Sequence, residues 1–124
     1  MPTYTRDDGK PIVQFDATLE ISPFALLRRL LSDRPPILID GRPEPHQQRT
    51  LAGSLPYPGS DWAPAGKEQT VVVFDDHGGE ALEMVLELRK RGYPQVYLLF
   101  GGLELYEFSL DPEITGQETF LVRL

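Results

Sequence analysis

The feature that most constrains the fold is the run Val71, Val72, Val73 and Phe74, four β-forming apolar residues in succession. A continuous run of this kind predicts a strand that is buried on both faces, as in parallel sheets covered by helices. A polar turn with two glycines follows it, from Asp75 to Gly79, and a helical pattern begins at Gly79. The sequence therefore predicts a buried strand that leads through a short loop to the N-terminus of a helix.

The loop after this strand combines a geometry that favours anions with side chains that are themselves anionic. The backbone N–H groups of such a loop and the positive end of the helix dipole both attract a negative ligand. Asp75 and Asp76 nevertheless follow the strand directly. This conflict is the main indication of function in the sequence.

Strand and helix patterns alternate along the rest of the chain. Apolar or β-prone runs at 18–21, 37–39 and 96–100 predict further strands, and a β-prone tail at 118–124 predicts an edge strand. Helical patterns begin at Ser22 and Pro23, cover 80–91, and resume after the glycines at 101–102. The alternation predicts an α/β fold with a mainly parallel central sheet flanked by helices on both faces.

The spacing of apolar residues predicts which side of the first two helices is buried. Residues that recur every three or four positions lie on one face of a helix, and that face packs on the core. In the first helix they are Phe24, Leu27, Leu30 and Leu31. In the second helix they are Ala81, Leu82, Val85, Leu86 and Leu88.

Length and composition limit the class of protein. Because the chain has 124 residues, we expect a single domain with a lead-in at 1–16, a core at 17–108 and a C-terminal extension at 109–124. A net charge of -7 disfavours nucleic acid and anionic membranes as partners. No apolar run is long enough for a membrane span or a signal peptide, so we expect a cytoplasmic protein. The chain has no cysteine, which excludes disulfides, thiolate metal sites and cysteine nucleophiles.

Four segments of the chain resemble landmarks of the rhodanese-like domain family, the fold of thiosulfate sulfurtransferases. They lie in the family's order at 21–23 (Ile-Ser-Pro), 37–42 (Ile-Leu-Ile-Asp-Gly-Arg), 51–58 (Leu-Ala-Gly-Ser-Leu-Pro-Tyr-Pro) and 92–103, so the resemblance covers roughly residues 19–108. The family's second landmark reads Asp-Val-Arg, where this chain has Gly41 in place of valine. Its third resembles Gly-His-Ile-Pro-Gly-Ala, where Arg49 and Thr50 replace glycine and histidine. Tyr106 takes the place of a tryptophan that usually ends the fourth.

The resemblance implies that the loop has lost the family's chemistry. The catalytic cysteine of the family directly follows the buried strand, and Asp75 stands at that position. A carboxylate cannot carry sulfane sulfur as a thiolate does. Glu80 stands where the family often has an arginine. We therefore expect a catalytically inactive rhodanese-like domain, without cofactor or bound metal, that acts as a binding, regulatory or structural module for an unidentified protein partner.

Three hypotheses remain for the altered loop, which runs through Asp75, Asp76, His77, Gly78, Gly79 and Glu80. In the first, the Asp75 carboxylate fills the anion position and accepts hydrogen bonds from the loop N–H groups. In the second, the two aspartates, His77 and Glu80 bind Mg²⁺, Ca²⁺ or Zn²⁺. In the third, Asp75 is a nucleophile or His77 a general base. The alternative to a module is thus a small enzyme that uses carboxylate or divalent-metal chemistry.

Two further groups of residues are candidates near the predicted strand ends. Asp40 and Arg42 follow the strand at 37–39, and we expect a structural ion pair between them, with a binding role as the alternative. Tyr57, Trp62 and Tyr106 are candidates for a binding surface or for core and rim packing.

Overall fold

The structure is a computed structural model that describes residues 15–42, 49–59, 61–79, 81–110, 116 and 118–123. Within these ranges the chain forms three helices and six strands. In chain order they are β1 (Glu20–Ile21), α1 (Pro23–Leu30), β2 (Ile37–Asp40), β3 (Arg49–Leu51), β4 (Val71–Phe74), α2 (Leu82–Lys90), β5 (Val96–Leu99), α3 (Gly102–Ser109) and β6 (Leu121–Arg123).

Four of the strands form the central sheet, in the order β1-β5-β4-β2, and every neighbouring pair in it is parallel. The strand at 71–74 is β4, which pairs with β2 on one side and β5 on the other. Parallel strands end at the same edge of a sheet. The residues after β2 and β4 therefore lie side by side at this edge.

Helices cover both faces of the central sheet, which confirms the predicted fold class. On one face α1 and α3 pack on Val72 and Phe74, and on the other face α2 packs on Val71 and Val73. Alternate residues of a strand point to opposite faces, and both faces of β4 are covered. All four of its side chains are fully buried, which accounts for the continuous apolar run.

The predicted start of the first helix is confirmed, but its predicted buried face is wrong in part. The hydroxyl of Ser22 accepts the Ala25 N–H at 3.2 Å, and a proline occupies the first turn. Phe24 and Leu31, however, are 56% and 53% exposed, while Leu26 is fully buried. The buried face is centred on Pro23, Leu26 and Leu27, and Leu31 follows the last helical residue.

The second helix also differs from its prediction at one position. It buries Val85 and Leu88, and Ala81 just before it, as expected, but Leu86 is 48% exposed. Two residues along a helix correspond to a rotation of about 200°, so Leu86 and Leu88 cannot share one face.

The β-prone tail forms a strand, although it does not extend the central sheet. β6 pairs antiparallel with β3 in a separate two-stranded sheet, where Leu51 lies opposite Leu121. The sequence patterns did not predict β3, which is only three residues long. Across the described ranges, none of the helices has the length and apolar composition needed to cross a bilayer.

Candidate functional site

Asp75 directly follows β4 and is completely buried, with 0% of its surface exposed. One carboxylate oxygen accepts the N–H of Gly78 at 2.5 Å. The other accepts the N–H groups of Gly79 at 2.9 Å and of Ala81 at 2.8 Å. The carboxylate thus lies in a ring of backbone donors that its own loop provides.

The carboxylate also lies just ahead of α2, where the positive end of the helix dipole favours a negative charge. Ala81 occupies the cap position of α2 and supplies no side-chain acceptor. Its own N–H donates to the Asp75 carboxylate, six residues earlier in the chain. The Asp75 carboxylate thus accepts hydrogen bonds from the loop N–H groups, as the first of the three hypotheses expects.

Glycines allow the loop to pack directly on the backbone at the start of α3. Gly78 has a φ of +87°, and a Cβ on it would lie 2.6 Å from the Gly101 nitrogen. A Cβ on Gly102 would lie 2.5 Å from the Asp76 carbonyl carbon. In this close contact the N–H of Leu103 donates to the Asp75 carbonyl at 2.8 Å. The loop is therefore held by the N-termini of two helices.

Arg42 connects the ends of β2 and β4. Its guanidinium binds both oxygens of Asp40, at 2.9 and 2.8 Å, which confirms the predicted ion pair. The same group donates to an Asp76 oxygen at 3.2 Å and to the Arg49 carbonyl at 2.8 Å. Hydrogen bonding to Asp40 raises the pKa of the buried Arg42 guanidinium, so it is charged at every physiological pH. The contact with Asp76 was not predicted, because no local pattern links residues so far apart in sequence.

His77 points to a different neighbour. Its Nδ1 lies 2.6 Å from a carboxylate oxygen of Glu104, and both side chains are exposed. Asp75, Asp76 and His77 thus bind three different partners and do not converge on one point. In the part of the chain that the structure describes, no three His, Asp or Glu side chains are grouped so that they could hold a metal ion. Glu80, the remaining residue of the cation hypothesis, lies outside the described residues.

The three aromatic candidates occupy different environments. Tyr106 is fully buried in the core between α1 and α3, and its hydroxyl donates to the Thr119 carbonyl. Burial raises the pKa of Tyr106 well above its ordinary value. Tyr57 is exposed at a cavity of about 670 Å³ beside α2. Trp62 lines a second cavity, of about 640 Å³, along β2. Neither cavity is lined by Asp75, Asp76 or His77.

Comparison with solved structures agrees with the fold described above. A rhodanese-related protein from Thermoplasma volcanium is 16% identical, with a TM-score of 0.58, over 73% of this chain and 92% of that one. The BH2092 protein of Bacillus halodurans is also 16% identical, with a TM-score of 0.61, over 75% of this chain and 74% of that one. At such identities the likeness concerns the fold alone. No curated protein sequence matches the chain.

The family model for the rhodanese-like domain matches residues 24–108, which is most of the chain and includes β4, the Asp75 loop and all but the last residue of α3. With the parallel sheet, the helices on both of its faces and the Arg42–Asp40 pair in place, the chain belongs to the rhodanese-like domain family, as a member whose 124 residues include no cysteine.

Proposed function

We propose that this chain is a rhodanese-like module without sulfurtransferase activity, which acts by binding, regulating or supporting a partner protein. The observation that carries the proposal is the state of Asp75. Its carboxylate stands where the family resemblance places the catalytic cysteine, it is completely buried, and three backbone N–H groups donate to it.

Sulfur transfer needs a thiolate nucleophile and free donors that stabilise the bound anion. The nucleophile is absent because the chain has no cysteine. The donors at Gly78, Gly79 and Ala81 are already bound by Asp75. An incoming thiosulfate or phosphate would have to displace a carboxylate that is covalently attached to the same loop, so the internal ligand has a large advantage in effective concentration.

The positive charge of Arg42, at the same edge of the sheet, is also already paired with carboxylates of the chain. The Arg42 guanidinium is bound to Asp40 and Asp76 and is buried beneath them. The two carboxylates neutralise its attraction for a substrate anion. The burial of Asp75 favours a module over an enzyme that uses carboxylate chemistry, because a completely buried carboxylate cannot contact a substrate.

The experiment is a thiosulfate:cyanide sulfurtransferase assay on the full chain in metal-free, thiol-free buffer. We expect thiocyanate formation at the level of the enzyme-free blank, with an active rhodanese as the positive control. The matched variant Asp75→Asn shows whether any residual signal depends on the loop carboxylate. Turnover above the blank by the unmodified chain would contradict the proposal, whatever the signal of Asp75→Asn.

A further inference from the structure

The cavity along β2 is lined mainly by apolar side chains. It has a volume of about 640 Å³, and its lining includes Pro36, Leu38, Ala52, Leu55 and Trp62. None of its lining residues is charged, although the chain as a whole carries a net charge of -7. Peptide with ionised side chains would lose hydration here without gaining a charge partner, so the lining selects an uncharged occupant.

The backbone of β2 presents hydrogen-bonding groups to this cavity. Ile37 donates its N–H to the Thr70 carbonyl, so the odd-numbered residues of β2 point their backbone groups at β4. The N–H of Leu38 and the carbonyl of Pro36 therefore point the other way, and both residues line the cavity. Among the described residues, no group accepts the Leu38 N–H and none donates to the Pro36 carbonyl.

On this outer edge of β2, the chain itself pairs only at the next ladder position, opposite Ile39. The N–H of Leu55 donates to the Leu38 carbonyl, and the Leu55 carbonyl accepts the Asp40 N–H, both at 2.8 Å, in a parallel bridge with Ile39. A parallel strand continued from Leu55 would place Gly53 opposite Ile37. Instead the chain turns away there, with the Ser54 N–H bound to the Leu51 carbonyl. One position of the parallel ladder is left without a partner strand in the described structure.

We propose that this groove, defined by the lining of the cavity along β2, binds an extended, uncharged apolar segment of a partner protein as an added parallel strand. This inference rests on the proposed binding function and assigns it to one surface. A residue of the segment opposite Ile37 donates its N–H to the Pro36 carbonyl and accepts the Leu38 N–H at its own carbonyl. The flanking side chains pack on Trp62 and Leu55, which gives the apolar preference.

The test begins with a phage-displayed library of random linear peptides selected against the full chain. We expect the selected peptides to be uncharged and rich in aliphatic or proline residues. A synthetic peptide from this set should slow hydrogen exchange of the Leu38 amide by about tenfold or more, because that amide gains an acceptor. N-methylation of a single peptide residue, the one opposite Ile37, should abolish binding.

Two matched variants locate the site. Ala52 is exposed at the groove, so Ala52→Glu adds a charge there without disturbing the core, and it should weaken peptide binding by about tenfold or more. Leu86 is exposed at the cavity beside α2, and Leu86→Glu should leave binding unchanged. Binding that is lost in Leu86→Glu but kept in Ala52→Glu, binding without slower Leu38 exchange, or selection of no peptide at all would overturn the inference. Thiocyanate formation reports on the Asp75 loop and not on the groove. If peptide binding to the groove is not found, the proposed lack of catalysis is therefore unaffected.

Discussion

Replacement of Asp75 tests whether the loop depends on its internal carboxylate. Hydrogen bonds to a charged group contribute about 1.5–3 kcal/mol each, and three N–H groups donate to this carboxylate. Removal of the charge also removes the cost of burying it, which offsets part of this loss. We therefore expect Asp75→Ala to lower the free energy of unfolding by about 3–4 kcal/mol, close to the cost of breaking a buried ion pair. For a domain of this length, that corresponds to a fall in Tm of about 10–15 °C.

The variant Asp75→Asn separates hydrogen bonding from packing. Asparagine has nearly the same volume, but its amide nitrogen would place a donor against the Gly78 N–H even in the better of its two orientations. We expect it to lose most of the stability that Asp75→Ala loses. Asp76→Asn is the matched control, because Asp76 is partly exposed and accepts one bond, from Arg42. That variant should cost about 1 kcal/mol or less.

The stabilities of the unmodified chain and of the three variants are measured by urea unfolding at pH 7 and checked by thermal scans. A Tm for Asp75→Ala within about 3 °C of the unmodified chain would refute the reasoning, since it would mean that the ring of donors has no need of an internal anion. Equal stability of Asp75→Asn and the unmodified chain would refute it as well.

Three further changes test other contacts. Arg42→Met leaves the Asp40 and Asp76 carboxylates without a cation and should cost about 3 kcal/mol, seen in urea unfolding. Tyr106→Phe removes the bond to the Thr119 carbonyl and should cost about 1–3 kcal/mol at pH 7. Because the folded chain raises the pKa of Tyr106, the unmodified protein should also lose stability above about pH 10, where unfolded tyrosine ionises, and this loss should be smaller in Tyr106→Phe. Gly41→Val restores the family residue, but its Cβ would lie 2.7 Å from the Ala81 Cβ, so we expect a loss of about 1–3 kcal/mol that Ala81→Gly partly recovers.

Local patterns in the sequence were sufficient to predict most of the elements. The run at 71–74, the Ser22 cap and the glycines at 101–102 specify their structures through neighbouring residues alone, and each lies where it was expected. Asp75 is a similar case, since all three of its backbone donors lie within six residues of it. A loop of this length can satisfy itself, so its geometry follows from the sequence.

Features that depend on tertiary contacts were not predictable in the same way. Phe24, Leu31 and Leu86 fit an apolar spacing, but helix orientation against the sheet decides which part of a broad apolar face is buried, and these three side chains remain exposed. β3 exists because its three residues pair with β6, over 70 positions away in the sequence. The Arg42–Asp76 contact likewise depends on β2 and β4 being neighbours in the sheet.

The contacts of Asp75 distinguish this loop from one that binds a substrate anion. A loop that holds substrate anions must keep several N–H donors unsatisfied until substrate binds, and unsatisfied donors reduce stability. Here Asp75 satisfies Gly78, Gly79 and Ala81 permanently, and the loop carbonyls at 75 and 76 accept N–H groups at the start of α3. Through these contacts the loop connects β4, α2 and α3. Under the proposed function as a binding module, such a connection would lower the ordering cost of binding, because the loop already holds one conformation.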